Sequence, residues 1–138
     1  MARDVKIAVK LNLAEFVKVT DAAASRVIRA FTLRTVERIK AAFKLPKSGR
    51  VYRVSRTGKP HQASAPGESP AILTGFLQNS VLTTFPTARE GIIAIGAAYA
   101  PYLEYGTVRM KPRPYIAPAI KETIAEFKKP GIVGGLIG

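Results

Sequence analysis

The 138-residue sequence has no cysteine, no tryptophan and a single histidine, His61. Without cysteine this chain cannot form a disulfide, a thiolate nucleophile or a cysteine-ligated metal site. The reducing cytosol is therefore a permitted place of synthesis. The sequence also lacks the run of about 18 apolar residues that a membrane-spanning helix needs, and its N-terminus has no apolar stretch like that of a signal peptide. We expect a soluble protein with no membrane partner.

Acidic residues are also scarce, with nine Asp/Glu against 22 Lys/Arg and a net charge of +13. The nine acids are scattered singly, so nothing predicts a paired-carboxylate or metal site. His61 has no acid near it in sequence and is expected to be solvated rather than a general base. The serines have no neighbour that would activate a hydroxyl group. We therefore expect neither enzymatic activity nor a bound cofactor.

The positive charge is uneven, because residues 26–59 contain eleven Lys/Arg and one acid, Glu37. Such a concentration indicates a polyanionic neighbour, although a solvated helix face is the simpler alternative. Nothing marks a helix–turn–helix or an RNA-binding sheet, so DNA backbone and an acidic protein surface both remain open as partners. The candidate basic patch consists of Arg26, Arg29, Arg34, Arg38 and Lys40.

Two long elements are predicted in the first third of the chain. Apolar residues alternate from Val5 to Leu13, and a period of two puts them on one face of a half-buried strand. Apolar residues at three- and four-residue steps then predict an amphipathic helix. This helix begins at Thr20 or Asp21, whose side chains can cap it, and ends at about Lys44.

Shorter elements are predicted further along the chain. They are a strand at 51–54, a helical turn at 73–80, an antiparallel hairpin formed by 81–85 and 93–95, a helical turn from Ala100 to Gly106, and a helix at 115–129. This order predicts an α+β fold, in which a small antiparallel sheet is packed by one long N-terminal amphipathic helix, with a C-terminal helix and a long protruding loop. We predict one domain over residues 1–130 and a flexible tail over 131–138.

The segment 49–75 is rich in glycine, proline, serine and basic residues. A long loop inside a compact domain is usually a binding element or disordered. Residues 55–70 are therefore predicted to form an extended arm that becomes ordered against a partner.

Residues 98–115 read AYAPYLEYGTVRMKPRPY, with three prolines, four tyrosines and one carboxylate, Glu104. Two interpretations remain open. The stretch could be a rigid cap over the core. It could instead be a preorganised contact surface, because tyrosines offer a large area at low entropy cost and Arg109, Lys111 and Arg113 could pair with Glu104 of a neighbouring copy.

Two separated motifs carry a family resemblance. The first, at 64–81, reads SAPGESPAILTGFLQNSV, and the second, from residue 97, reads AAYAPYLEYGT followed by KPRPYIAPAI. In this order and spacing they resemble the tail-component, or tail-completion, proteins of long-tailed siphophages. The matching positions are Ala65 to Ala71, Thr74, Gly75, Leu77, Tyr99 to Thr107 and Arg113 to Tyr115. The segment GFLQNSV lacks the basic residue that the family pattern would place near the leucine.

The resemblance implies a non-enzymatic virion protein that forms a ring, expected to be hexameric, at the neck or head-proximal end of the tail tube, and that joins tail to head. Such a protein is made in the host cytoplasm and contacts neighbouring neck proteins and the tail-tube protein. Genomic DNA would pass through the ring without specific binding. The alternative is a small basic nucleic-acid-binding protein that acts alone through non-specific backbone contacts.

A ring has head-to-tail interfaces, so each subunit needs two different complementary patches. The arm could supply one patch and the tyrosine–proline surface the other. The residues expected at these contacts are Arg56, His61, Ala65, Pro66, Gly67, Glu68, Tyr99, Tyr102, Glu104, Tyr105, Arg109, Arg113 and Tyr115.

Overall fold

The computed structural model describes residues 7–12, 20–72 and 75–137, with only the backbone described at 7–12 and at 137. The elements, in chain order, are β1 (Ile7–Asn12), α1 (Asp21–Phe43), β2 (Val51–Arg53), β3 (Pro60–Gln62), α2 (Phe76–Asn79), β4 (Val81–Thr84), β5 (Glu90–Ile95), α3 (Ala100–Tyr105), α4 (Ile116–Phe127) and α5 (Ile132–Ile137). The described strands form a three-stranded antiparallel sheet, in the order β1-β5-β4, and a separate β2-β3 hairpin. The predicted α+β fold is confirmed.

Helix α1 has the predicted bounds. Thr20 caps it, since its hydroxyl oxygen accepts a hydrogen bond from Ala23 N at 3.2 Å, and Lys44 follows its last residue. Its buried side chains recur at helical spacing and include Val27, Ile28, Thr35, Ile39 and Phe43. This stripe packs on β5, as expected for an amphipathic helix lying across a sheet.

Strand β5 is the centre of the larger sheet. It pairs antiparallel with β4, with Val81 opposite Ile95 and Thr83 opposite Ile93, as the hairpin prediction requires. Buried and half-buried residues alternate along β5, because side chains of a strand point to opposite faces. The buried face meets α1, where Gly91 lies against the Thr32 hydroxyl and leaves no room for a side chain.

The core continues from the sheet to α4. Ile39 and Phe43 of α1 share one buried cluster with Ile93 of β5 and with Tyr115 and Ile116 at the start of α4. The rings of Phe31 and Phe127 meet edge to face, 5.1 Å apart, at the other end of the α1–α4 contact. Helix α4 thus lies beside α1, and its first turn is fixed by the core.

Two irregular segments contain more regular structure than the sequence patterns predicted. The arm at 55–70 is not one extended loop, because β3 pairs with β2 and residues 63–69 turn back onto the body. Ala63 N donates to Arg50 O and Gly67 N donates to Pro112 O, each at 3.0 Å. The tail predicted to be flexible contains α5, whose Leu136 carbonyl accepts a hydrogen bond from Arg26 Nε at 2.8 Å. Within the described ranges, no helix is both long and apolar enough to cross a bilayer.

Candidate interaction surface

A buried carboxylate organises the second motif. Glu104 in α3 is only 7% exposed, and its oxygens accept hydrogen bonds from the backbone N–H groups of Tyr115, Ile116 and Ala117 at 2.8, 3.0 and 3.0 Å. N–H groups at a helix start have no partner within the helix, and the helix dipole favours a negative charge there. Glu104 therefore caps α4 and joins it to α3.

Tyr115 completes this connection from the core side. Its side chain is 1% exposed, its phenol donates to Ala100 O at 3.3 Å, and its ring lies 5.4 Å from that of Phe43. Burial raises the pKa of the Tyr115 phenol. Arg113 N also donates to Leu103 O at 2.6 Å. Helix α3 is therefore held along its inner side by the chain that leads into α4.

The turn between α3 and α4 depends on Gly106. Its φ of 78° lies in the left-handed region, and a side chain there would come within 2.8 Å of Met110 O and 2.9 Å of Pro112. Thr107 N donates to Met110 O at 2.7 Å and closes the turn. The LEYGT motif therefore encodes one rigid corner.

The first motif forms a second corner, centred on Glu68. Its carboxylate accepts hydrogen bonds from the Ser48 hydroxyl, from Ser48 N at 3.0 Å and from Ala65 N at 2.8 Å. The Ser48 hydroxyl, followed by the two N–H groups, lowers the pKa of Glu68 to about 2. The two motifs also meet, since Arg113 Nε donates to Ser64 O at 3.2 Å. Most motif residues thus have structural roles.

This framework leaves aromatic side chains exposed on its outer side. We call Phe76, Tyr99, Tyr102 and Tyr105 the aromatic patch; they are 57%, 43%, 52% and 74% exposed. The rings of Phe76 and Tyr99 are 6.3 Å apart. A groove of about 490 Å³ adjoins the patch, and its lining includes Tyr52, His61, Ile72, Phe76, Tyr99 and Arg113. Clustered exposed aromatics of this kind are typical of contact surfaces.

The predicted basic patch on α1 is largely used inside the molecule. Arg34 contacts Glu37 at 2.9 Å and Glu126 at 3.1 Å, and Arg38 contacts Glu126 at 2.5 Å and Glu122 at 3.6 Å. The two guanidinium groups lower the pKa of Glu126.

The other α1 arginines also have partners. Arg29 lies over the Phe85 ring, 4.3 Å from its centre, and Arg26 binds the α5 carbonyl described above. Lys40 is half-buried. Arg34 and Arg38 are therefore not free to bind a polyanion, because their acidic partners come mainly from α4, about 90 residues later in the chain. For Arg26, Arg29 and Lys40, the basic patch stays a prediction.

The predicted contact residues differ in how far they are exposed to solvent, and they form an exposed, a half-buried and a buried group. Tyr99, Tyr102, Tyr105, Arg109 and Arg56 are exposed, as a contact surface requires. Pro66 and Gly67 are also exposed, whereas His61, Ala65, Glu68 and Arg113 are half-buried.

Two of the predicted contact residues do not belong to any free surface. Glu104 cannot pair with cations of a neighbouring copy, because its carboxylate is buried on three N–H groups, and Tyr115 is part of the core. The rigid-cap interpretation therefore holds for these two residues, whereas a contact role for the exposed tyrosines stays a prediction. Phe76 was not predicted; an aromatic residue beside Leu77 in a short helix gives no signal of which one faces outward.

No set of three or more His, Cys, Asp or Glu side chains within the described ranges is placed to hold a metal ion. The comparisons with known proteins give no further guide to the surface. No family model matches the chain, and no curated protein or solved structure shows significant similarity to it.

Proposed function

We propose that this protein is a structural subunit of a tailed-phage virion, which assembles with copies of itself into a ring at the neck or head-proximal end of the tail tube. The observation that carries the assembly part of this proposal is the aromatic patch. Its three tyrosines lie at or in α3, which is locked by Glu104, Gly106 and Tyr115, and the Phe76 ring lies 6.3 Å from that of Tyr99. The neck location rests on the motif resemblance alone.

Rigid support matters for binding because a preorganised surface loses little conformational entropy on association. A fully buried tyrosine or phenylalanine removes about 150–250 Å² from water. Because the four residues of the aromatic patch are only 43–74% exposed in the subunit, together they can bury about 340–570 Å² on association. That is roughly half of the approximately 800 Å² per partner that a stable interface buries.

A ring also requires a second, different patch on each subunit. The β2-β3 hairpin is the projecting part of the predicted arm, and all of β2 is exposed. Its apolar base, with Val51 58% and Tyr52 41% exposed, is available to a neighbour. Because residues 63–69 are folded onto the body, the reach of this arm is limited to the hairpin itself.

The test measures assembly of the purified full chain by sedimentation velocity and negative-stain electron microscopy, over a range of concentrations and without DNA. We expect rings for the wild type. The Y102S/Y105S double variant should dissociate, because loss of two interface aromatics at about 2 kcal/mol each weakens association by about a thousandfold.

The matched control is L33S/L45S, which removes two leucines outside the aromatic patch. Leu33 and Leu45 are 51% and 59% exposed. This control should assemble like the wild type. A chain that stays monomeric at the highest soluble concentration would contradict the proposal, as would a Y102S/Y105S variant that forms rings with unchanged affinity.

A further inference from the structure

Ion pairs neutralise part of the positive charge of α1. Arg34 contacts Glu37 and Arg38 contacts Glu122, and both arginines contact Glu126. We call residues 50–62, which contain β2, its turn and β3, the basic hairpin. It carries four cations and no acid, and the cations are Arg50, Arg53, Arg56 and Lys59. All four are exposed.

Among residues 20–72 and 75–136, no ion pair joins a carboxylate to the basic hairpin. The next acid along the chain is Glu68, whose oxygens are occupied by Ser48 and Ala65. The neighbouring α3–α4 turn adds three more cations, since Arg113 contacts Ser64 at the foot of the hairpin and Arg109 and Lys111 belong to the same turn. Its carboxylate, Glu104, is buried.

The apex of the hairpin has the chemistry of a phosphate contact. It reads SRTGK from Ser55 to Lys59, with two hydroxyl groups, two cations and no apolar side chain. Within the described part of the chain, the backbone N–H groups of Ser55 and Arg56 have no hydrogen-bond partner. Lys and Arg side chains, hydroxyl groups and backbone N–H groups are the donors that proteins direct at nucleic-acid phosphates.

The turn that presents these groups is held by the hairpin itself. Val54 N donates to Lys59 O at 2.9 Å and Gly58 N donates to Val54 O at 2.7 Å. Gly58 adopts a φ of 67°, and Arg53 Nη1 donates to its carbonyl at 3.2 Å. The apex is therefore a defined, projecting loop.

We propose that the basic hairpin binds the phosphate backbone of duplex DNA without sequence preference. An acidic protein partner is less well matched at the apex, because protein interfaces depend on apolar anchors and the exposed apolar side chains of the hairpin, Val51 and Tyr52, lie at its base. The phosphate backbone of DNA can be contacted by exposed cations without any apolar anchor. At about 3.3 Å per strand residue, the cations from Arg50 to the apex extend over about 13 Å, a length in which duplex DNA presents about eight charges. This inference does not depend on ring formation.

The test uses the purified full chain and a fluorescein-labelled 30-base-pair duplex of arbitrary sequence, with binding followed by anisotropy between 50 and 300 mM KCl. We expect binding at 50 mM KCl that weakens steeply with salt. The variant R50Q/R56Q/K59Q should lose at least tenfold in affinity at 50 mM KCl. Its log–log salt slope should fall in magnitude by about 2 to 3, because each lost phosphate contact removes about 0.9.

A matched control, K121Q/K128Q/K129Q, removes the same charge from three exposed lysines of α4 and the residues just after it. It should keep the wild-type salt slope to within about 1. Circular dichroism would verify that both variants are folded. Absence of wild-type binding at 50 mM KCl would overturn the inference, and so would equal losses in the two variants, which would assign binding to net charge rather than to the hairpin.

Sedimentation of both variants without DNA separates this inference from the proposed function. Rings that do not bind DNA would overturn the hairpin inference and leave the assembly proposal intact. A chain that stays monomeric and binds DNA through the hairpin would contradict the assembly proposal and support the hairpin inference. It would favour a small nucleic-acid-binding protein as the function.

Discussion

Replacement of Glu104 by alanine should strongly destabilise the domain. The carboxylate accepts three N–H bonds of 2.8–3.0 Å, and two of the donors belong to Tyr115 and Ile116, which are 1% and 4% exposed. Each buried donor left without a partner costs about 1–3 kcal/mol. The third donor, on exposed Ala117, can bind water. With the cavity that the side chain would leave, we expect E104A to lower the free energy of unfolding by about 3–5 kcal/mol.

The E104Q variant removes the charge of the side chain but keeps its shape, so it separates the contributions of the two to stability. Its amide oxygen can still accept from the two buried donors, while its NH₂ group would face Ala117 N, which can turn to water. We therefore expect E104Q to cost only about 1–2 kcal/mol. For a domain whose total stability is about 5–15 kcal/mol, the two variants are readily distinguished.

The assay is urea unfolding followed by far-ultraviolet circular dichroism, with the m-value compared between variants. Glu122, an exposed acid on α4 that contacts Arg38 at 3.6 Å, provides the control; E122A should cost less than about 1 kcal/mol. The explanation would be refuted if E104A unfolded within 0.5 kcal/mol of the wild type, or if E104Q cost as much as E104A.

Two further predictions concern other buried or hydrogen-bonded groups. G91A should lose at least about 2 kcal/mol of unfolding free energy, because its methyl group would collide with the Thr32 hydroxyl, which has no hydrogen-bond partner within the described ranges; G91A/T32A should regain part of this loss, and an additive double variant would contradict the contact. The pKa of Glu68 is lowered in the folded state to about 2 from 4.5, so its stabilising effect is present above pH 4.5 and is lost as the pH falls toward 2. Denaturation between pH 6 and 2 should show a smaller acid loss in E68Q, and identical pH profiles would exclude this role.

Local sequence patterns were sufficient for several of the regular elements. The stripe of α1 and its Thr20 cap are local features, so periodicity and capping chemistry predicted both bounds within one residue. The pairing of β4 with β5 was also predicted, although β5 begins three residues before the predicted strand, and the left-handed φ of Gly106 matches its predicted place at the end of α3. The fold of segment 55–70 was not predicted, because part of its order comes from distant partners, such as Pro112, whose carbonyl accepts a hydrogen bond from Gly67 N.

The sequence by itself determined the α+β class, the positive charge and the absence of cysteine chemistry, because composition and short-range periodicity are independent of how the elements pack. Only the tertiary structure decided which charges and rings are available to a partner. It placed Glu104 and Tyr115 inside, left Tyr102 and Tyr105 outside, and paired Arg34 and Arg38 of α1 with acids from α4. Burial and ion pairing depend on contacts between residues far apart in the chain, which no local pattern encodes.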